Sequence, residues 1–129
     1  MEFQKNETSL YERIGGETAL TILIERFYHR ITHDPEIGHY FVHVPIEKLK
    51  RMQREFFAMA TGGPVTYAGR PLSQVHHPLA ISRREFQRFT DHLITTLQEE
   101  GINEQDTREV IAKVNLYMDE ITNEATYGD

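Results

Sequence analysis

GGPVTYAGRPLSQVHHP, residues 62–78, decides how the rest of the chain reads. Gly62-Gly63-Pro64 stops a long amphipathic stretch, and an irregular run follows it. Leu72, Val75, His76 and Leu79 then stand at i, i+3, i+4 and i+7, the spacing that gathers side chains on one face of a helix. Pro78 cuts that segment short. His76 is thereby aimed, among apolar neighbours, at the interior. Two readings of the imidazole stand side by side. A lone histidine on an apolar face is more often a hydrogen-bonded core residue. A neutral imidazole delivered from a short connection is also a way to hold iron or another metal.

Composition narrows the classes. A chain of 129 residues suits one domain. The expected division is a flexible arm over residues 1–8, one folded domain over 9–125 and a tail over 126–129. Apolar content of 39% is lean for a self-sufficient core and compatible with a bound apolar group completing the interior. A net charge of −6 with scattered basic residues argues against nucleic acid. The absence of cysteine removes disulfides, thiol catalysis and thiolate metal sites. No run of apolar residues is long enough to span a membrane. The start, MEFQKNETS, lacks the pattern of a secretion signal, so the expected location is cytoplasmic.

Working outward, helical signals cover the chain. Ser9-Leu10-Tyr11-Glu12 has the form of a capping box, and Gly15-Gly16 ends the short helix it opens. From Glu17 to Thr32 the apolar stripe is Leu20, Leu23, Ile24, Phe27, Tyr28 and Ile31, which puts the Tyr28 ring inside with a hydroxyl seeking a partner. Asp34-Pro35 marks a break with an N-cap and proline at the first helical position. The helix begun by Pro45-Ile46 and running to about Thr61 carries Leu49, Met52, Phe56, Phe57 and Ala60, with Gln53 inside that stripe. A buried amide left unpaired costs roughly 1–3 kcal/mol. Two polar tips, Tyr28 and Gln53, therefore face inward from two helices. Ser82-Arg83-Arg84-Glu85 is a second capping box, opening a helix with Phe86, Phe89, Leu93 and Leu97 that Gly101 stops. Asn103 caps a last helix with Val110, Val114, Tyr117, Met118 and Ile121 on one side. No strand alternation or repeat competes, so the expected class is all-α.

With these residues in place, the chain resembles the truncated haemoglobins, group I most of all, from about Leu10 to Ile121. The likeness rests on LYERIGG, on RFYHRI followed by DPEIGHYF, on QREFFAMATGGPVTYAGRPL and on QVHHPLAIS. It implies a two-over-two helical sandwich enclosing haem b (iron protoporphyrin IX). It also implies that His76 is the proximal iron ligand, that Tyr28 donates a hydrogen bond to the iron-bound ligand, and that Gln53 is the polar distal residue facing it. By the same likeness Leu49 lines the distal side and Phe41 packs on the porphyrin. Met52, Phe57, Tyr67, Ile81 and Phe86 match further positions near the haem.

Departures from the family pattern carry information too. The lack of tryptophan disfavours groups II and III. Met52 stands where some relatives place a histidine or lysine as sixth iron ligand, and no histidine in the last helix offers a haem crosslink. His77 follows His76, but neighbours on a helix diverge by about 100°, so only one can face the iron. His29, His33, His39, His43 and His92 read as solvated or structural. His39 and His43, four apart, would bind a surface metal only if their loop is helical. Lys48, Lys50 and Arg51 include candidate partners for haem propionates, though such residues are usually just solvated.

Three classes of function follow. The first is a globin that binds dioxygen, nitric oxide and carbon monoxide, with high oxygen affinity and slow release, storing oxygen or detoxifying nitric oxide by dioxygenation. Turnover of that kind needs an external reductase, since no flavin or nicotinamide motif is present. The second is a haem-based sensor or an electron carrier acting through a partner. The third is a haem-free helical module, disfavoured by inward polar tips that a haem-free core does not need. The expected assembly is a monomer or weak homo-oligomer. The resemblance predicts a histidine-ligated, five-coordinate ferrous spectrum that His76→Gly disrupts, measurable by visible absorption after haem reconstitution. Loss of no feature in the variant overturns His76 as ligand.

Overall fold

One helix is buried along its whole inner stripe, and the others are arranged about it. This is α2, Gly16–Thr32, whose Leu20, Leu23, Ile24, Phe27, Tyr28 and Ile31 are all buried, as the periodicity predicts. The computed structural model describes residues 8–64 and 81–116. In order along the chain they form α1 (Leu10–Arg13), α2, a 3-10 helix (Gly38–Phe41), α3 (Ile46–Ala60), α4 (Arg83–Glu99) and α5 (Glu104–Asn115). No strand occurs among the described residues. The pairs α2–α3 and α4–α5 are each packed together, and α2 also packs on α4, joining the two pairs. Helix α1 bridges α2 and α5.

Local chemistry sets each boundary. The Ser9 hydroxyl accepts from the Glu12 N–H at 3.1 Å to start α1. In α4 the box is reciprocal: Ser82 Oγ accepts from Glu85 N–H at 3.0 Å, and Glu85 Oε1 accepts from Ser82 N–H at 3.0 Å. Asn103 Oδ1 accepts from Asp106 N–H at 2.8 Å to begin α5. Asp106 then takes Arg13 Nε at 3.0 Å, and Glu109 pairs with the same guanidinium, fastening α1 to α5. Of the stripe expected in this last helix, Val110 is buried and Val114 packs against the core. Tyr117, Met118 and Ile121 lie outside the described residues, as do residues 1–7 of the expected arm and the tail.

The break at Asp34-Pro35 differs from expectation in kind. No α-helix follows it; a turn leads into the single 3-10 turn Gly38–Phe41. Asp34 Oδ1 still accepts a cap-like bond from Glu36 N–H at 2.7 Å. Its other oxygen is occupied by α4, and a side chain held from two directions fixes a loop rather than a helix start.

The Gly-Gly pair after α3 does more than stop a helix. Gly63 N–H donates to Ala58 O at 2.7 Å, closing the helix end. A Cβ on Gly63 would lie 2.8 Å from the Tyr11 ring, so α1 sits directly on this turn. Tyr11 N–H also donates to Thr61 O at 2.9 Å, binding the two segments by backbone as well. Gly63→Ala is expected to lower stability by about 1–3 kcal/mol through overpacking against Tyr11. Chemical denaturation of the variant beside wild type reads this directly, and an unchanged midpoint sinks the close-packing argument.

Candidate functional site

The centre of the candidate site is Tyr28, carried by α2 and only 4% exposed. Its ring meets Phe27 edge-on at 5.5 Å and Phe41 edge-on at 5.7 Å. Phe41 in turn meets Phe89 of α4 at 6.0 Å. These rings make an aromatic bridge from α2 through the 3-10 helix to α4, favoured because ring edges lie against ring faces. Burial pushes the Tyr28 phenol far above its ordinary pKa, so the group is a proton donor at any working pH. Among the described residues its hydroxyl has no hydrogen-bond partner. A hydroxyl so placed is available to a polar ligand that reaches it.

Helix α3 supplies the second wall. Leu49, Met52 and Gln53 lie on one side of it and are half-buried, while Phe56 and Phe57 are buried beyond them. Gln53 makes no hydrogen bond to a described residue, so it does not orient Tyr28 by a direct hydrogen bond. Phe57 belongs to the main core and meets Phe56 edge-on at 5.9 Å. Ile81 and Phe86, on the side of α4, are buried. Both α3 and α4 pack on α2, yet they do not pack closely against each other. Phe41 on the 3-10 helix, Leu49 and Met52 on α3 and Phe89 on α4 stay half-buried. Such a set fits a flat apolar group with a polar ligand at the Tyr28 end. His76 and Tyr67, the remaining positions assigned by resemblance, lie outside the described residues.

A small cleft among the described residues lies elsewhere. It measures about 40 Å³ and is lined by Ile14, Leu20, Leu23, Leu97, Glu100 and Ile102 among others, too little for a macrocycle. Of the suggested propionate partners, Lys50 is engaged by Glu25 at 2.9 Å and Glu47 at 3.4 Å. Lys48 and Arg51 are exposed.

Two polar brackets hold Phe41 in place, and neither is apparent in the sequence. Asp34, with its side chain 1% exposed, accepts from Arg88 Nε at 2.6 Å and pairs with His92 Nε2 at 2.6 Å. Tyr40 OH donates to Glu85 Oε1 at 2.7 Å. Burial alone raises an aspartate pKa, but the hydrogen bonds from His92, the Glu36 N–H and Arg88 outweigh it and hold Asp34 well below the usual carboxylate range. Burial, reinforced by the Glu85 carboxylate, pushes Tyr40 up to about 12. His92 was expected to be solvated or structural; it is structural, as one arm of this bracket.

Comparison with known proteins agrees with this architecture. Residues 9–123 match the family described as bacterial-like globin. The Group 1 truncated hemoglobin GlbN of Mycolicibacterium paratuberculosis is 37% identical over 120 residues, covering 92% of this chain and 88% of that protein. The corresponding protein of Synechocystis is 33% identical, covering 81% and 88%. Among solved structures, the 2/2 hemoglobin from Synechococcus with covalently attached heme superposes with a TM-score of 0.86 at 28% identity, covering 90% of this chain and 99% of that one. The two helix pairs joined through α2 thus form the two-over-two sandwich. The chain belongs to the truncated haemoglobins, group I, within the bacterial-like globins. Membership implies haem as cofactor and haem-based binding of diatomic gas.

The depressed pKa of Asp34 has a defined sign. Its folded-state pKa lies below the ordinary 3.8, so its contribution is complete above that value and is lost as pH falls further. Asp34→Asn is expected to lose about 1–3 kcal/mol at neutral pH and to fall less steeply between pH 4 and 2 than wild type, by the worth of charge-assisted hydrogen bonds. Urea midpoints across that range decide it, and parallel acid limbs refute it.

Proposed function

We propose that this globin binds dioxygen tightly and releases it slowly, in the cytoplasm, serving oxygen storage or nitric oxide detoxification with a separate reductase. The observation that carries the reading is the buried Tyr28 ring, whose hydroxyl has no hydrogen-bond partner among the described residues. His76 would hold haem b, which when bound would supply an iron able to take a diatomic gas.

The rest is the work of the chain. Tyr28 keeps its proton at physiological pH and presents it in a place where water competes little. Tyr28 would donate to a dioxygen ligand carrying partial negative charge, and a hydrogen bond to such an acceptor is worth roughly 1.5–3 kcal/mol. Carbon monoxide remains nearly neutral and gains less. Phe41 limits where the Tyr28 ring can sit, and the Asp34 and Tyr40 brackets limit where Phe41 can sit. Gln53, free of other described partners, adds a second donor from α3. Leu49 and Met52 complete an apolar wall, with methionine a packing residue rather than a strong sixth ligand.

Tyr28→Phe tests the assignment. It should speed oxygen dissociation by about 10–100-fold, since about 1.4 kcal/mol is a factor of ten, while altering carbon monoxide release much less. An unchanged oxygen off-rate, measured by stopped-flow displacement, overturns the donor role. Nitrate yield on mixing oxygenated protein with nitric oxide separates detoxification from storage.

A further inference from the structure

The end of α2 carries a second feature, on the exposed face of the turn whose inner face holds Tyr28. His29 and His33, in the run His29-Arg30-Ile31-Thr32-His33, are one helical turn apart and both exposed. Their ring centroids are 4.4 Å apart with a 39° tilt. His39 and His43, the pair with the same spacing further along, start in a 3-10 helix, where three residues complete a turn and a fourth leaves the face. The pair whose rings lie side by side is the other one.

We infer that His29 and His33 form a surface site for a divalent transition ion of the zinc, nickel or copper type. Two histidines at i, i+4 on a helix are a recurrent way to grip zinc. Two imidazoles sharing a tetrahedral ion at about 2.0–2.1 Å place their centroids about 5 Å apart. The observed 4.4 Å lies within about 1 Å of that, a distance the rotation of two exposed side chains covers. The hydrogen bonding also favours ligation. His33 Nδ1 lies 2.7 Å from the His29 carbonyl, which can only accept, so Nδ1 carries the proton and the Nε2 lone pair is free. Thr32 Oγ1 donates to the Tyr28 carbonyl at 2.7 Å and offers its remaining lone pair to His33 Nδ1 at 3.4 Å. A ring whose second nitrogen is tied to a carbonyl is the usual state of a metal-ligating histidine, because the bond fixes tautomer and orientation. Arg30, the nearest cation in sequence, is drawn away by its ion pair with Glu99 on α4.

Among the described residues no third histidine, aspartate or glutamate joins this pair. The ion would keep its other positions for water or an outside ligand, which describes an open site rather than a closed structural one. Nitrogen-only ligation selects the imidazole-preferring metals over magnesium or calcium.

Isothermal titration of zinc chloride into the haem-loaded full chain tests this. One zinc per chain is expected, weakened by at least about tenfold in His29→Gln and in His33→Gln, the scale of loss seen when even an outer partner of a ligand is removed. His43→Gln should bind as wild type does. Both target side chains are exposed, so the core is untouched by the changes. No stoichiometric binding, or full binding in both variants, overturns the site; loss in His43→Gln alone moves the metal to the loop and overturns it equally.

Discussion

Everything in this fold depends on α2 burying one side against two helices that do not close on each other. Leu20, Leu23, Ile24, Phe27, Tyr28 and Ile31 supply the apolar area, and α3 and α4 divide it between them. Burial of this kind stabilises by roughly 25 cal/mol per Å² of apolar surface, so the stripe anchors both pairs at once. Leu49 and Met52 on α3, Phe41 on the 3-10 helix and Phe89 on α4 are left half-buried about this stripe.

Much of this was legible because the signals are local. The Tyr28 stripe follows from a 3.6-residue period, and the starts of α4 and α5 follow from Ser82-x-x-Glu85 and Asn103. Each is an interaction within a few residues, which a sequence displays directly. The inward direction of Tyr28 was legible for the same reason. That Gln53 makes no hydrogen bond to Tyr28 was not, because it depends on how far α2 and α3 stand apart.

The brackets around Phe41 were invisible for a different reason. Asp34 and Arg88 are 54 residues apart, and Tyr40 and Glu85 are 45 apart. In a chain with 20 acidic and 14 basic residues, nothing local selects these pairs over the others. Asp34 reads as a helix cap, and its turn really does receive the Glu36 N–H. Only the fold shows that its second oxygen is committed to α4. The histidines make the same point in reverse. His39 and His43 have the spacing of a pair, but the winding of the chain between them removes the shared face, whereas α2 keeps it for His29 and His33.

Glu85 serves two structures at once. Its Oε1 receives Ser82 N–H, approaches Ser82 Oγ at 3.3 Å and takes the Tyr40 hydroxyl. The first turn of α4 and the loop that carries Phe41 consequently share a single oxygen atom. Unwinding that turn withdraws the acceptor from Tyr40, and lifting the loop leaves the carboxylate with fewer donors to hold the turn. The two segments are therefore one cooperative unit for local unfolding, although the chain separates them by a whole helix.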